Sequence, residues 1–243
     1  MFHKVLSAEW GKLRNNWIVF PVVLAPILIL LLQYANFRIR YTSVVKEGDV
    51  PWTIFIEQHA IIWAVLILPI LAAVLSSMLI MNENTDNNWK YLLALPIKRG
   101  DVYFAKIILV IFFLLVSSIL LGIGMLGSAT ILQLPGEIPY SQLIQTLSAA
   151  MIGAFAVLSI QFWLSIKFHN PGIPLAVAIC GTVAAIFLLQ SALTRWLPWV
   201  YPYLVLPIRL NEEINITWYM GQSMVVGLLC LIIGYREFSQ RDM

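Results

Sequence analysis

The sequence predicts an all-α membrane protein with six transmembrane helices, folded as a single transmembrane domain over residues 1–243. Three observations predict it. The chain is 60% hydrophobic and 11% charged, with mean hydropathy +0.86, whereas a soluble domain carries about a quarter charged residues. Six apolar runs each approach the roughly 20 residues that span about 30 Å of hydrocarbon. No polar stretch between them is long enough to build an aqueous core.

The first element is a short amphipathic stretch over 1–16. Phe2, Leu6, Leu13 and Trp17 recur near the helical period, with Lys4, Glu9, Lys12 and Arg14 elsewhere on the wheel. That pattern predicts a helix lying in the membrane interface. The opening Met1-Phe2-His3-Lys4 is not that of a signal peptide, and no small-residue cleavage site follows the first apolar run. The spans then cover about 17–36, 61–81, 105–132, 143–166, 173–193 and 218–235; Pro21 and Pro26 interrupt the first. Their one charged residue is Lys106, near enough to an end to snorkel.

Basic residues set the expected orientation. With the N-terminus inside, ten Lys and Arg fall on the inner segments and five on the outer ones, among them Arg38 and Arg40 in the first outer loop. Both termini are then cytoplasmic. Before the last span, residues 195–209 are too short and Pro-rich to cross and too apolar for an ordinary loop. Trp196, Trp199, Tyr201 and Tyr203 suit the headgroup level. A re-entrant or interfacial segment on the outer face is expected.

Several chemistries are set aside. Gly122-Ile-Gly-Met-Leu-Gly127 matches a dinucleotide fingerprint, but it lies inside an apolar span with no preceding strand and no acidic residue about 20 positions on. Small residues there suit close helix packing. There is no P-loop, so ATP is not hydrolysed through one in this chain. Glu212-Glu213 lies outside the spans, and His3, His59 and His169 lie near span ends without metal-ligand spacing. Cys180 and Cys230 sit in apolar runs, which argues against a structural disulfide. No dense basic stripe marks a nucleic-acid binder.

The informative segment is the loop between the second and third spans, residues 82–101. Thr85 or Asp86 can cap a short helix. Trp89, Leu92 and Leu93 at i, i+3, i+4 give it one apolar face, and Pro96 ends it. Such a helix at the inner surface needs a partner for that face: lipid or a soluble protein.

Glu83, Asn88-Trp89-Lys90, Leu92-Leu93, Leu95-Pro96, Arg99 and Lys106 resemble the first cytoplasmic loop of ABC-2 type transporter permeases, and in particular of the bacitracin and lantibiotic self-protection branch. Ala8-Glu9-Trp10-x-Lys12-Leu13-Arg14 is similar to the family's amphipathic elbow. The resemblance implies half of a transporter. Two such chains, identical or related, would pair around a pathway. A separate cytoplasmic ABC ATPase, holding ATP and Mg, would dock on the loop helix as its coupling helix; the chain itself would be no enzyme and carry no cofactor. Glu83, Trp89, Lys90, Leu92, Leu93, Pro96 and Arg99 are then the coupling candidates. Glu83, at the junction of span and loop, would meet a basic group on the ATPase or on the elbow.

The spans offer only neutral polar groups to a pathway, including Gln161 and Gln190, which would line it or hydrogen-bond across helices. That suits an amphipathic or lipid-like cargo better than a bare ion. The resemblance implies export of a peptide antibiotic from a bacterial plasma membrane. A permease for lipid or cell-wall intermediates, and a scaffold or sensor that transports nothing, are the alternatives.

Overall fold

The computed structural model describes residues 2–13, 17–84, 98–189, 191, 194–211 and 213–240. Among them are eight helices. We number them α1 (Phe2–Leu13), α2 (Val19–Val44), α3 (51–84), α4 (Arg99–Ile131), α5 (Tyr140–Lys167), α6 (Gly172–Leu188), α7 (Tyr201–Leu204) and α8 (Ile216–Ser239). Helix α3 is continuous but not uniform: Pro51–Ile62 and Leu68–Asn84 are joined through a π-helical turn, Trp63–Ile67. Five helices are long and apolar enough to cross a membrane: α2, Pro51–Met81 of α3, α4, α5 and α8. Apolar α6 has 17 residues, or about 25 Å at 1.5 Å per residue. The helix ends at Leu188, within the predicted fifth span, 173–193.

Helix α5 is the centre of the bundle. It packs against α3, α4, α6, α7 and α8, while α1 and α2 both lie along α4. Two of the three fingerprint glycines serve close approach: a Cβ on Gly124 would lie 2.1 Å from Leu30 Cδ1 of α2, and one on Gly122 would lie 3.1 Å from Leu147 Cδ1 of α5. Gly127 faces open space.

Helix α2 shows how proline is accommodated. Pro21 falls in the first turn, where no backbone donor is required. Pro26 is buried mid-helix and leaves the Val22 carbonyl without its i+4 donor. Ser117 of α4 supplies one instead, its Oγ donating to Val22 O at 2.7 Å. The helix also runs past its predicted end at 36, so that Arg38 is helical and not in a loop; the backbone leaves helical geometry at Arg40.

Helix α3 starts ten residues before the predicted span, with Pro51 as its first helical residue. The added turns carry Glu57 and His59, both buried. Arg209 explains Glu57: its backbone N–H donates to Glu57 Oε1 at 3.0 Å and its Nε to Oε2 at 3.3 Å, while Nη1 reaches Asp49 Oδ1 at 2.8 Å. An ion pair thus hides a charge that a hydropathy window reads as a span boundary.

The segment before the last span is packed into the end of the bundle. It folds as a 3₁₀ turn (Pro198–Val200), α7, and a second 3₁₀ turn (Arg209–Asn211). Val200, Tyr201, Leu204, Val205, Leu206 and Ile208 are buried. Its seat on α5 is Gly153, where a Cβ would fall 2.8 Å from Pro202 Cα and 2.5 Å from Val205 Cγ2. Of its aromatics, Trp196 is 70% exposed and Tyr201 2%.

Candidate functional site

Four charged side chains from three helices meet where α1 crosses the bundle. Glu9 and Lys12 lie three residues apart on α1 and share a face. Glu83 is at the end of α3, and Lys106 lies two turns into α4. Lys106 Nζ donates to Glu9 Oε2 at 2.7 Å, to Glu83 Oε2 at 2.9 Å and to the Leu79 carbonyl at 3.0 Å. Lys12 Nζ donates to Glu9 Oε1 at 2.6 Å and Glu83 Oε1 at 2.8 Å. Each lysine bridges both glutamates and each glutamate bridges both lysines, so the four form a closed, neutral ring.

The ring corrects two expectations. Lys106 does not snorkel. It is 1% exposed, because two carboxylates at hydrogen-bond distance replace the water its ammonium would otherwise seek. Glu9 does not face solvent with the polar side of α1. It is buried on the same face as Val5 and Leu13. Trp10 completes the docking of α1, its ring stacked on Phe113 and edge-on to Phe112.

Burial works against the charged form of Glu9, but Lys106 and Lys12 outweigh it and hold the carboxyl below its ordinary value. Burial likewise opposes a charged Lys12, and Glu83 and Glu9 hold its ammonium above the ordinary lysine value. With both oxygens of each carboxylate engaged, neither is placed as a general base or a ligand. The chemistry of this site is mechanical: it fixes the end of α3 to α1 and α4.

Of the residues expected to couple, Glu83 is in the ring. Arg99 opens α4, and its Nη1 donates to the Ser239 carbonyl at the end of α8 at 2.7 Å. Trp89, Lys90, Leu92, Leu93 and Pro96 lie outside the described residues, as does Gln190. Gln161 is fully buried on α5, and both its side-chain polar atoms lack a hydrogen-bond partner among the described residues. Glu9 and Lys12 are the site residues that helical patterning alone does not single out; the one signal for them is the similarity of residues 8–14 to an elbow.

Beside the ring, α1, α2 and α4 line an open groove of about 450 Å³ with an apolar wall that includes Trp10, Leu13, Val22, Phe112 and Phe113. No charged side chain lines it among the described residues.

Residues 5–185, about three quarters of the chain, match the family model described as ABC-2 family transporter protein. No curated protein matches the chain. ABC-2 permeases are the membrane part of ATP-driven transporters; they pair with an ATPase subunit and lack ATPase activity themselves. With a family match of that extent and a bundle of five span-length helices, the chain belongs to the ABC-2 family as a multi-pass membrane permease.

Proposed function

We propose that the chain is one half of an ABC-2 exporter in a bacterial plasma membrane. A separate ATPase, which binds ATP and Mg, docks on residues 83–99, and a second permease chain, identical or related, completes the pathway. In this reading α6 is the fifth of six crossings, both termini are cytoplasmic, and α1 is the elbow in the inner interface. Trp89, Lys90, Leu92, Leu93 and Pro96 form the docking face, with Glu83 and Arg99 at its two ends.

The observation that supports this reading is the anchoring of both ends of the loop. Glu83, near the start of the loop, is held by the buried ring. Arg99, near its finish, is held by the end of α8. A push on the loop between them therefore passes into α1, α3, α4 and α8 together. A loop that served only to anchor in lipid has no need of such ends.

The cargo is a hydrophobic or amphipathic molecule, and we favour a peptide antibiotic of the lantibiotic or bacitracin kind. The apolar groove beside α1 supports a cargo of this class over an ion. A lipid or cell-wall intermediate has the same chemistry and is the second reading.

Trp89→Glu and Leu93→Glu, made singly in the full chain, test the coupling. Each is expected to abolish co-purification of the ATPase subunit and protection against the antibiotic, with membrane insertion unchanged. An undisturbed ATPase complex would sink the docking face. Lost lipid export in the same variants, with protection unaltered, would transfer the cargo to the second reading.

A further inference from the structure

The π-turn in α3 absorbs one residue. Its signature is the Leu68 N–H donating to the Trp63 carbonyl, five residues back, and such turns arise when one extra residue is taken up without rotating the flanking helix. The neighbouring helix supplies an independent count. Thr53 meets Gln142 of α5 at one end of their contact, and Ser77 meets Ser165 at the other. Between these contacts α3 advances 24 residues and α5 advances 23. The turn at Trp63–Ile67 matches that difference of one residue.

We propose that α3 is a two-state element, in which the π-turn relaxes to regular α-helix and shifts the half nearer Pro51 by one residue against α5. The shift rotates that half by about 100° and lengthens the helix by about 1.5 Å. The half that ends in Glu83 keeps its packing. Every slot nearer Pro51 then receives the next residue: Ile54 takes the place of Thr53 opposite Gln142, Gln58 takes the place of Glu57 beside Arg209, and Ala60 takes the place of His59.

The groups that change places suit such an exchange. In the observed state His59 is fully buried, its Nδ1 at 2.7 Å from the Phe55 carbonyl and its Nε2 without a partner among the described residues. Trp52 Nε1 is buried without a partner as well. A buried polar atom left unpaired is costly. The shift puts the Ala60 methyl in the imidazole's apolar slot and Thr53 in that of Trp52. Against this, the observed state keeps the Glu57–Arg209 pair, which the shifted state gives up. Arg209 is thus the latch of the observed register. This inference concerns α3 alone and does not rest on the cargo or on ATPase docking.

Disulfide cross-linking of the full chain in its native membrane tests it, in a background with Cys180→Ser and Cys230→Ser, both cysteines being free. The pair Thr53→Cys/Gln142→Cys reports the observed register, and Ile54→Cys/Gln142→Cys the shifted one. Both pairs are expected to cross-link when Trp63–Ile67 is intact. Deleting Leu66, the exposed residue of the turn, removes the extra residue. It should leave the first pair and a Ser77→Cys/Ser165→Cys control cross-linked and abolish the second pair. Arg209→Gln should raise the ratio of second to first product about two- to fivefold, the range open to a partly exposed ion pair. Failure of the Ile54 pair to cross-link with the turn intact overturns the proposal. So does loss of the Thr53 pair on deletion while the Ser77–Ser165 control persists, because the turn would then not be what sets the register.

Discussion

Removing the ammonium of Lys106 isolates what the ring contributes. Lys106→Met keeps most of the aliphatic stem and leaves Glu9 and Glu83, 3% exposed each, with Lys12 as their shared partner. Each Lys106 contact, at 2.7–2.9 Å, is worth about 6 kcal/mol of gross attraction at an effective dielectric of 20. Most of that is spent on desolvating the charges. What a single truncation exposes is the cost of an unmatched buried carboxylate, about 3–5 kcal/mol. For a chain of this length that is a fall in melting temperature on the order of 10 °C. The assay is thermal unfolding of the detergent-solubilised permease, followed by tryptophan fluorescence. Glu83→Gln alone should cost a similar amount. The double variant should cost clearly less than the sum, with a coupling of at least about 2 kcal/mol. A Lys106→Met protein melting within about 2 °C of wild type, or additive single and double variants, would refute a closed ring.

Four further expectations follow from the same physics. Because the folded Glu9 lies below its ordinary value of 4.5, its contribution is complete above that pH and lost as the pH falls through the lower folded value; Lys12, raised above 10.5, contributes fully below that value and loses its share as the pH climbs beyond it. Melting curves should therefore show no inflection from Glu9 or Lys12 between about pH 5 and 10, and one inside that window that Glu9→Gln removes would contradict the shifts. Ser117→Ala should cost about 1 kcal/mol by orphaning the Val22 carbonyl, and less in a Pro26→Ala background, where the backbone donor returns; equal costs in both backgrounds would separate the serine from the proline. Gly153→Ala should destabilise by about 1–3 kcal/mol, since the new methyl meets the Pro202 backbone, whereas Gly124→Ala meets only the end of the Leu30 side chain and should cost less; chemical denaturation of the two variants ranks them. Glu57→Gln should lower the melting temperature by no more than a few degrees, because Arg209 is about half exposed, and a collapse of expression would place Glu57 in a deeper role.

Much of the bundle was legible in the sequence, because a membrane span is a local property of about 20 neighbouring side chains. The runs at 105–132, 143–166 and 218–235 fall within a few residues of α4, α5 and α8. Local reading fails where one charge is cancelled by another far along the chain. Glu57 ends a hydropathy window at residue 61, yet its partner is 152 residues away. Lys106 reads as a snorkelling lysine until Glu9, 97 residues earlier, is brought to it. The helical wheel of α1 sorts Glu9 with the polar residues because the wheel knows its charge and not its partners. The π-turn has no signature in the residue types at 63–67; it becomes visible only in the folded backbone, where the Leu68 N–H reaches the Trp63 carbonyl. In the candidate site, Glu83 was legible as a carboxylate at the junction of span and loop, while the paired role of Glu9 and Lys12 required the fold.

The ring also orders the birth of the protein. A chain made from its N-terminus exposes Glu9 first, then Lys12, and Glu83 follows 71 residues after Lys12. Lys106 emerges last, 23 residues behind Glu83. Until it arrives, two carboxylates share one ammonium, and burying them would leave a net negative charge in apolar surroundings. Helix α1 is therefore held only weakly in its seat while α2 and α3 insert, and gains its full hold when α4 brings the fourth charge. An obstacle attached to the first residues would be felt late in assembly, as a failure to close and not as a failure to insert.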